Sequence, residues 1–112
     1  MDFPKSSRIR TRWEYLRFFQ GSEVKRLGLC TLFRLPSRTG EARVGITIKA
    51  KCNSVYRNKL KRQIREAFRA HRKKMRALDC NVVIPGSLKV TPATPRQIRG
   101  QLDAAWMNEN HG

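Results

Sequence analysis

The chain has 112 residues, enough for one modest core and too few for two. Its 25 lysines and arginines against 8 acidic residues give a formal charge of +17, a self-repulsion that opposes compaction unless a polyanion neutralises it, so nucleic acid is the expected partner. The longest apolar runs, residues 28–33 and 81–84, are far too short to span a membrane, and the basic segment 1–12 has neither the apolar stretch nor the small-residue cleavage site of a secretory signal. A cytoplasmic protein with no membrane attachment is expected. Cys30, Cys52 and Cys80 are odd in number and contain no paired CxxC spacing, which argues against a disulfide framework and a zinc site.

In chain order, residues 11–20 place Trp13, Leu16, Phe18 and Phe19 at helical spacing, with Tyr15 four before Phe19 and Gly21 as a stop, which predicts a short aromatic helix. A turn is expected over 21–23. The apolar and β-branched run 27–35, bounded by Pro36, Ser37 and Gly40, predicts a strand. Residues 43–49 alternate Val44, Ile46 and Ile48 with Gly45 and Thr47, a period of two that predicts a second strand paired to the first as a hairpin. Residues 56–75 then change period: Leu60, Ile64, Ala67, Phe68, His71 and Met75 share one side of a helical wheel. Residues 77–79 end that helix, and 81–84 predict a short apolar strand stopped by Pro85 and Gly86. Last, Thr94 offers an N-cap oxygen, Pro95 suits the first helical position, and Ile98, Leu102, Ala105 and Trp106 form a packing stripe.

This order predicts an α+β fold with helices packed on a small mixed sheet. Residues 1–112 are expected to form a single domain, with 1–7 a mobile arm and 107–112 a frayed tail. Cys30 and Cys80 are expected in apolar strands, as core. Helices on one sheet face leave the other free as a binding surface.

The long helix carries the clearest chemistry. Lys61, Arg62, Arg65, Arg69, Arg72 and Lys73 lie opposite its apolar stripe, and Glu66 is the only acid there, so the repulsion is not offset by i,i+4 pairs. Arginine predominates, and its guanidinium fork binds phosphate oxygens in two-point fashion. Phosphate binding explains that face better than solvation alone. Glu66 is expected to orient Arg62 or Arg69. No nucleophile, base and orienting group assemble at a recognisable spacing, so a self-contained nuclease is not expected.

The run Arg57-Asn58-Lys59-Leu60-Lys61-Arg62, followed by Arg65-Glu66, resembles the Arg-Asn-Arg helix of the ribonuclease P protein family. Arg43-Val44-Gly45-Ile46-Thr47-Ile48 is similar to that family's strand before the helix, and Asn53-Ser54-Val55-Tyr56 to its lead-in; Tyr15, Phe19, Phe33 and the strand from Cys80 to Ile84 also fall where the family places such residues. Lys59 replaces the usual middle arginine, Ala50 stands where a lysine is common, and the glycine before Asn53 is missing. Lys59 keeps the charge and loses the bidentate fork.

The resemblance implies a ribosomal-S5-like α+β sandwich with a left-handed βαβ crossover. It implies that an RNA subunit with magnesium ions is the catalyst and that the protein alone is inactive. The protein would bind the ribonuclease P RNA through Arg57, Asn58, Lys59, Lys61, Arg62, Arg65 and Arg69. It would hold the 5′ leader of precursor tRNA at Tyr15, Phe19, Phe33, Lys49 and Lys51. Tyr15 and Phe19 have a core role as the alternative, with Phe18 and Trp13 as the other core aromatics. Three competing classes are a structural RNA-binding protein such as a ribosomal one, a DNA-binding module, and a catalytic nuclease. The second lacks a helix-turn-helix pairing and the third lacks an acid–base or metal-ligand cluster.

Overall fold

A computed structural model describes residues 21–37, 40–75 and 77–107. The expected first helix, the 1–7 arm and residues 108–112 of the expected 107–112 tail lie outside them, whereas Met107 is the last residue of a helix rather than tail. Strands β1 (Glu23–Arg26), β2 (Thr31–Pro36), β3 (Arg43–Ile48) and β4 (Leu78–Ile84) are joined by helices α1 (Ser54–His71), between β3 and β4, and α2 (Thr94–Met107), after β4. The sheet order is β1-β2-β4-β3. β1 with β2 and β2 with β4 are antiparallel, whereas β3 and β4 are parallel across α1. The α+β class with a mixed sheet is as the sequence predicts.

The expected β2–β3 hairpin does not form, because β4 lies between those strands. A period of two identifies a half-buried strand and says nothing about its partner. Parallel pairing through α1 lets the helix lay its apolar stripe on the strands it connects. The run 27–35 is likewise not one strand. Gly28, at φ +113°, turns the chain between β1 and β2, and Leu27 N–H donates to Cys30 O at 2.9 Å across that turn. A Cβ on Gly28 would stand 3.0 Å from Gln101 Nε2 of α2, whose Oε1 accepts from Leu29 N–H at 3.0 Å, so glycine is required by conformation and by close approach. Cys30 is buried as expected, in this turn rather than in a strand. β1, which overlaps the expected 21–23 turn at Glu23 and otherwise lies where the sequence predicts no element, has no apolar period because it is a short charged edge strand, the form that resists unwanted pairing.

Strand alternation divides the residues. Leu32, Val44, Cys80, Val82 and Ile84 meet Leu60, Ile64, Ala67 and Phe68 of α1 and Ile98, Leu102, Ala105 and Trp106 of α2 in one core. Phe68 and Trp106 join the helices edge to face, with centroids 5.5 Å apart. The Trp106 indole N–H makes no hydrogen bond of ordinary geometry and has the Cys80 sulfur as a polar neighbour. Burial pushes the Cys80 thiol up to about 12 against a weaker lowering by Trp106, and burial pushes Cys30 up to about 11.

Three boundaries shift. α1 ends at His71, and Met75 reaches the core through a turn in which its N–H and that of Lys74 donate to His71 O at 3.0 Å. β4 begins at Leu78, because Asp79, a polar break in the sequence pattern, is consumed by Arg43 on β3. In α2, Gln97 N–H donates to Ala93 O, placing the cap one residue before Thr94; the Thr94 hydroxyl instead accepts from Thr91 N–H at 2.8 Å. Among the described residues no helix is long and apolar enough to cross a membrane.

Candidate nucleic-acid interface

α1 begins where Asn53, with extended backbone, accepts Tyr56 N–H on its Oδ1 at 2.9 Å while its carbonyl accepts Arg57 N–H at 3.0 Å. This cap fixes the first turn, which ends at Arg57 and leads directly into Asn58 and Lys59. Consecutive helical residues diverge by about 100°, so those three do not act as one patch. Arg57, Lys61 and Arg65 form a half-buried lane along one flank, and Asn58, Arg62 and Arg69 ride the exposed crest. Lys59 lies on the opposite flank, the side on which Gln63, one turn later, accepts from Arg99 of α2 at 3.4 Å. The Lys59 ammonium stands 5.8 Å from the Tyr56 ring centroid, a cation–π contact that restrains it without neutralising it.

Arg57, Lys59, Lys61 and Arg62 have no ion pair among the described residues. Glu66 pairs with Arg69 at 3.1 Å, the second of the two partners expected for it. The α1 surface therefore carries concentrated uncompensated charge, the condition under which a polyanion binds with release of counterions.

The sheet face turned away from the helices is the second element. Its central row runs Val24, Phe33, Asn81 and Gly45 in register across β1, β2, β4 and β3. Phe33 is half-buried between Val24, which is 53% exposed, and Asn81. In the next row Thr47 donates to Asn81 Oδ1 at 3.4 Å. Lys49 extends the alternation of Gly45 and Thr47 onto this face, its N–H bonded to Ile84 O at 2.8 Å, and is exposed. Lys51, also exposed, lies between Lys49 and the Asn53 cap, with buried Ala50 between the two lysines. Tyr15 and Phe19 lie outside the described residues.

Sequence reasoning missed Asn53 as a cap, although an asparagine before a helical run is a strong start signal. It also missed the polar chain between the helices: Arg99 Nε lies 3.6 Å from Asp103 Oδ2, and Asp103 Oδ1 lies 3.1 Å from His71 Nε2. No periodicity within one helix reveals such a chain. Among the described residues no group of three or more His, Cys, Asp or Glu side chains is arranged to hold a metal ion.

The family model described as Ribonuclease P matches residues 3–109. This chain belongs to the ribonuclease P protein family. It is 35% identical over 107 residues to the ribonuclease P protein component of Geobacter sp. (strain M21), covering 94% of this chain and 90% of that one. It is also 35% identical to the counterpart from Desulfotalea psychrophila, covering 88% and 85% respectively. Its fold is similar to the ribonuclease P protein from Thermotoga maritima, with a TM-score of 0.72 at 24% identity over 90% of this chain and 96% of that one. The chain is thus a component of ribonuclease P, a tRNA-processing endoribonuclease, which implies association with the ribonuclease P RNA.

Proposed function

We propose that this protein binds the ribonuclease P RNA through α1 and the 5′ leader of precursor tRNA across the sheet face opposite α1 and α2, promoting magnesium-dependent endonucleolytic removal of the leader. The observation that carries the reading is the set Arg57, Lys59, Lys61 and Arg62, four cations on one capped helix with no acidic partner among the described residues. Arg65, Arg69 and Asn58 complete the RNA-binding set. Phe33 on β2 offers a ring for stacking, and Lys49 and Lys51, which follow β3, offer exposed cations for the backbone, the combination that holds single strands with little sequence preference. Tyr15 and Phe19 belong to the leader site in the same reading.

Magnesium, held mainly by the RNA, supplies the chemistry of phosphodiester hydrolysis. The protein's residues bind and screen: arginine forks neutralise phosphates that would otherwise repel one another, raising precursor affinity and lowering the magnesium needed. The protein alone is inactive in this reading. We further assign a single domain, a left-handed β3–α1–β4 crossover of the ribosomal-S5 type, and a cytoplasmic location.

The test is cleavage of a precursor tRNA by the source organism's ribonuclease P RNA at low magnesium, with and without protein. Stimulated cleavage at the 5′ boundary, with none by protein alone, is expected. Tight RNA binding without stimulation would leave a purely structural RNA-binding role.

A further inference from the structure

We infer that a second phosphate-binding lane runs along the α1–α2 seam, with Arg96 and Arg99 of α2 joining Lys59 and Arg62 of α1 to hold a further stretch of RNA backbone. The inference rests on the RNA-binding reading of α1 and extends that surface to a helix to which the sequence assigned only packing.

Three observations carry it. Lys59 lies on the α2 side of α1, so the Arg57-Asn58-Lys59 run directs charge down both flanks rather than one. Arg99 Nη1 donates to Gln63 Oε1 at 3.4 Å and its Nε faces Asp103 at 3.6 Å; these contacts hold the guanidinium over the seam and leave its Nη2 without a partner among the described residues. Arg96, one turn before Arg99, is exposed and has no ion pair among the described residues, as is true of Arg62.

The acids nearby are accounted for. Glu66 is engaged by Arg69 at 3.1 Å, and Asp103 is shared between Arg99 and His71. Four cations against a shared Asp103 leave the seam positive. Charge complementarity therefore selects a polyanionic backbone over an acidic peptide, because the cations are spread along two helices at the one-turn spacing suited to repeated phosphates.

Titration of the source organism's ribonuclease P RNA with the full chain over a range of monovalent salt tests the lane. Each phosphate contact contributes about 0.7–0.9 to the slope of log affinity against log salt, so Arg96→Gln with Arg99→Gln should lower the slope by about 1.4 to 1.8 and weaken binding by at least about tenfold near 0.15 M salt. Arg96→Gln alone, at an exposed position, should lower it by about half as much. Asp103→Asn separates charge from architecture: it should bind RNA more tightly if Arg99 meets phosphate, and more weakly if Arg99 serves only to tie the helices. Wild-type protein that binds the RNA, with variants of unchanged slope, overturns the lane alone. Wild-type protein that does not bind the RNA overturns the parent reading and the lane together.

Discussion

Arg43 and Asp79 face each other in register on the parallel strands β3 and β4 and form a two-point ion pair, Nε to Oδ1 at 2.9 Å and Nη2 to Oδ2 at 2.8 Å, with the Asp79 side chain fully buried. The pair lies where the α1 crossover returns to the sheet. It determines strand alignment, since a slip by one residue would bury two charges without partners. Asp79→Ala leaves the Arg43 guanidinium without this partner and should cost about 3–5 kcal/mol in urea unfolding. Replacing both by apolar residues of similar volume, Arg43→Met with Asp79→Leu, should recover most of that loss. Equal destabilisation by the single and double variants would show that alignment, rather than charge burial, is what the pair supplies.

The cysteines divide by exposure. Burial pushes Cys30 up to about 11 and Cys80 up to about 12, from an ordinary 9.0. A raised thiol holds its proton in the folded chain after the unfolded chain has lost it. Stability is therefore full below about pH 9 and falls as pH rises toward 11–12. Unfolding followed from pH 8 to 11 should show this decline, and Cys30→Ala with Cys80→Ala should flatten it while lowering stability throughout. At pH 8 a thiol reagent should modify half-buried Cys52 in the native protein, and Cys30 and Cys80 only as the chain unfolds.

Much of this architecture was legible in the sequence, for identifiable reasons. Leu60, Ile64, Ala67 and Phe68 repeat at helical spacing and are the buried face of α1, as Ile98, Leu102, Ala105 and Trp106 are of α2. The +17 charge and its concentration on one helix point to nucleic acid, and the resemblance of the Arg57–Arg62 run narrows that to RNA. What the sequence concealed was partnership. Val44 and Ile46 specify a strand equally well beside β2 or β4; Asp79 looks like a strand break until Arg43 is placed opposite it; and the Gln63–Arg99 contact depends on how two helices cross. Lys59 shows the same limit at the site. Its place in a recognisable run suggested a single binding patch, whereas helical geometry sends it to the other flank.

Phe33 tests the sheet face. It shares a row with Val24 and Asn81, and its ring is half-buried there. Phe33→Ala should weaken binding of a precursor tRNA by about 1–3 kcal/mol, the range for one stacked base, and leave mature tRNA nearly unaffected. Phe33→Tyr should retain most of the affinity. Equal losses for precursor and mature tRNA would assign the ring to packing.

Asn53 connects helix stability to RNA binding most directly. Its side chain accepts the Tyr56 amide, and the first turn it fixes contains no acidic residue, ends at Arg57 and leads directly into Asn58 and Lys59. Asn53→Ala should cost about 0.5–2 kcal/mol in thermal unfolding and lower RNA affinity without removing a charge, because the cations of a frayed turn must be ordered on binding. Serine caps as well as asparagine, so Asn53→Ser should restore both properties. Aspartate caps equally well and suits the positive helix end, so Asn53→Asp should restore stability, yet it places a negative charge beside the phosphates and should leave RNA affinity low. Thermal melts and RNA titrations of the three variants separate these effects. Affinity that followed stability in all three, aspartate included, would place the bound phosphates away from the α1 N-terminus and shift the interface toward the crest formed by Arg62 and Arg69.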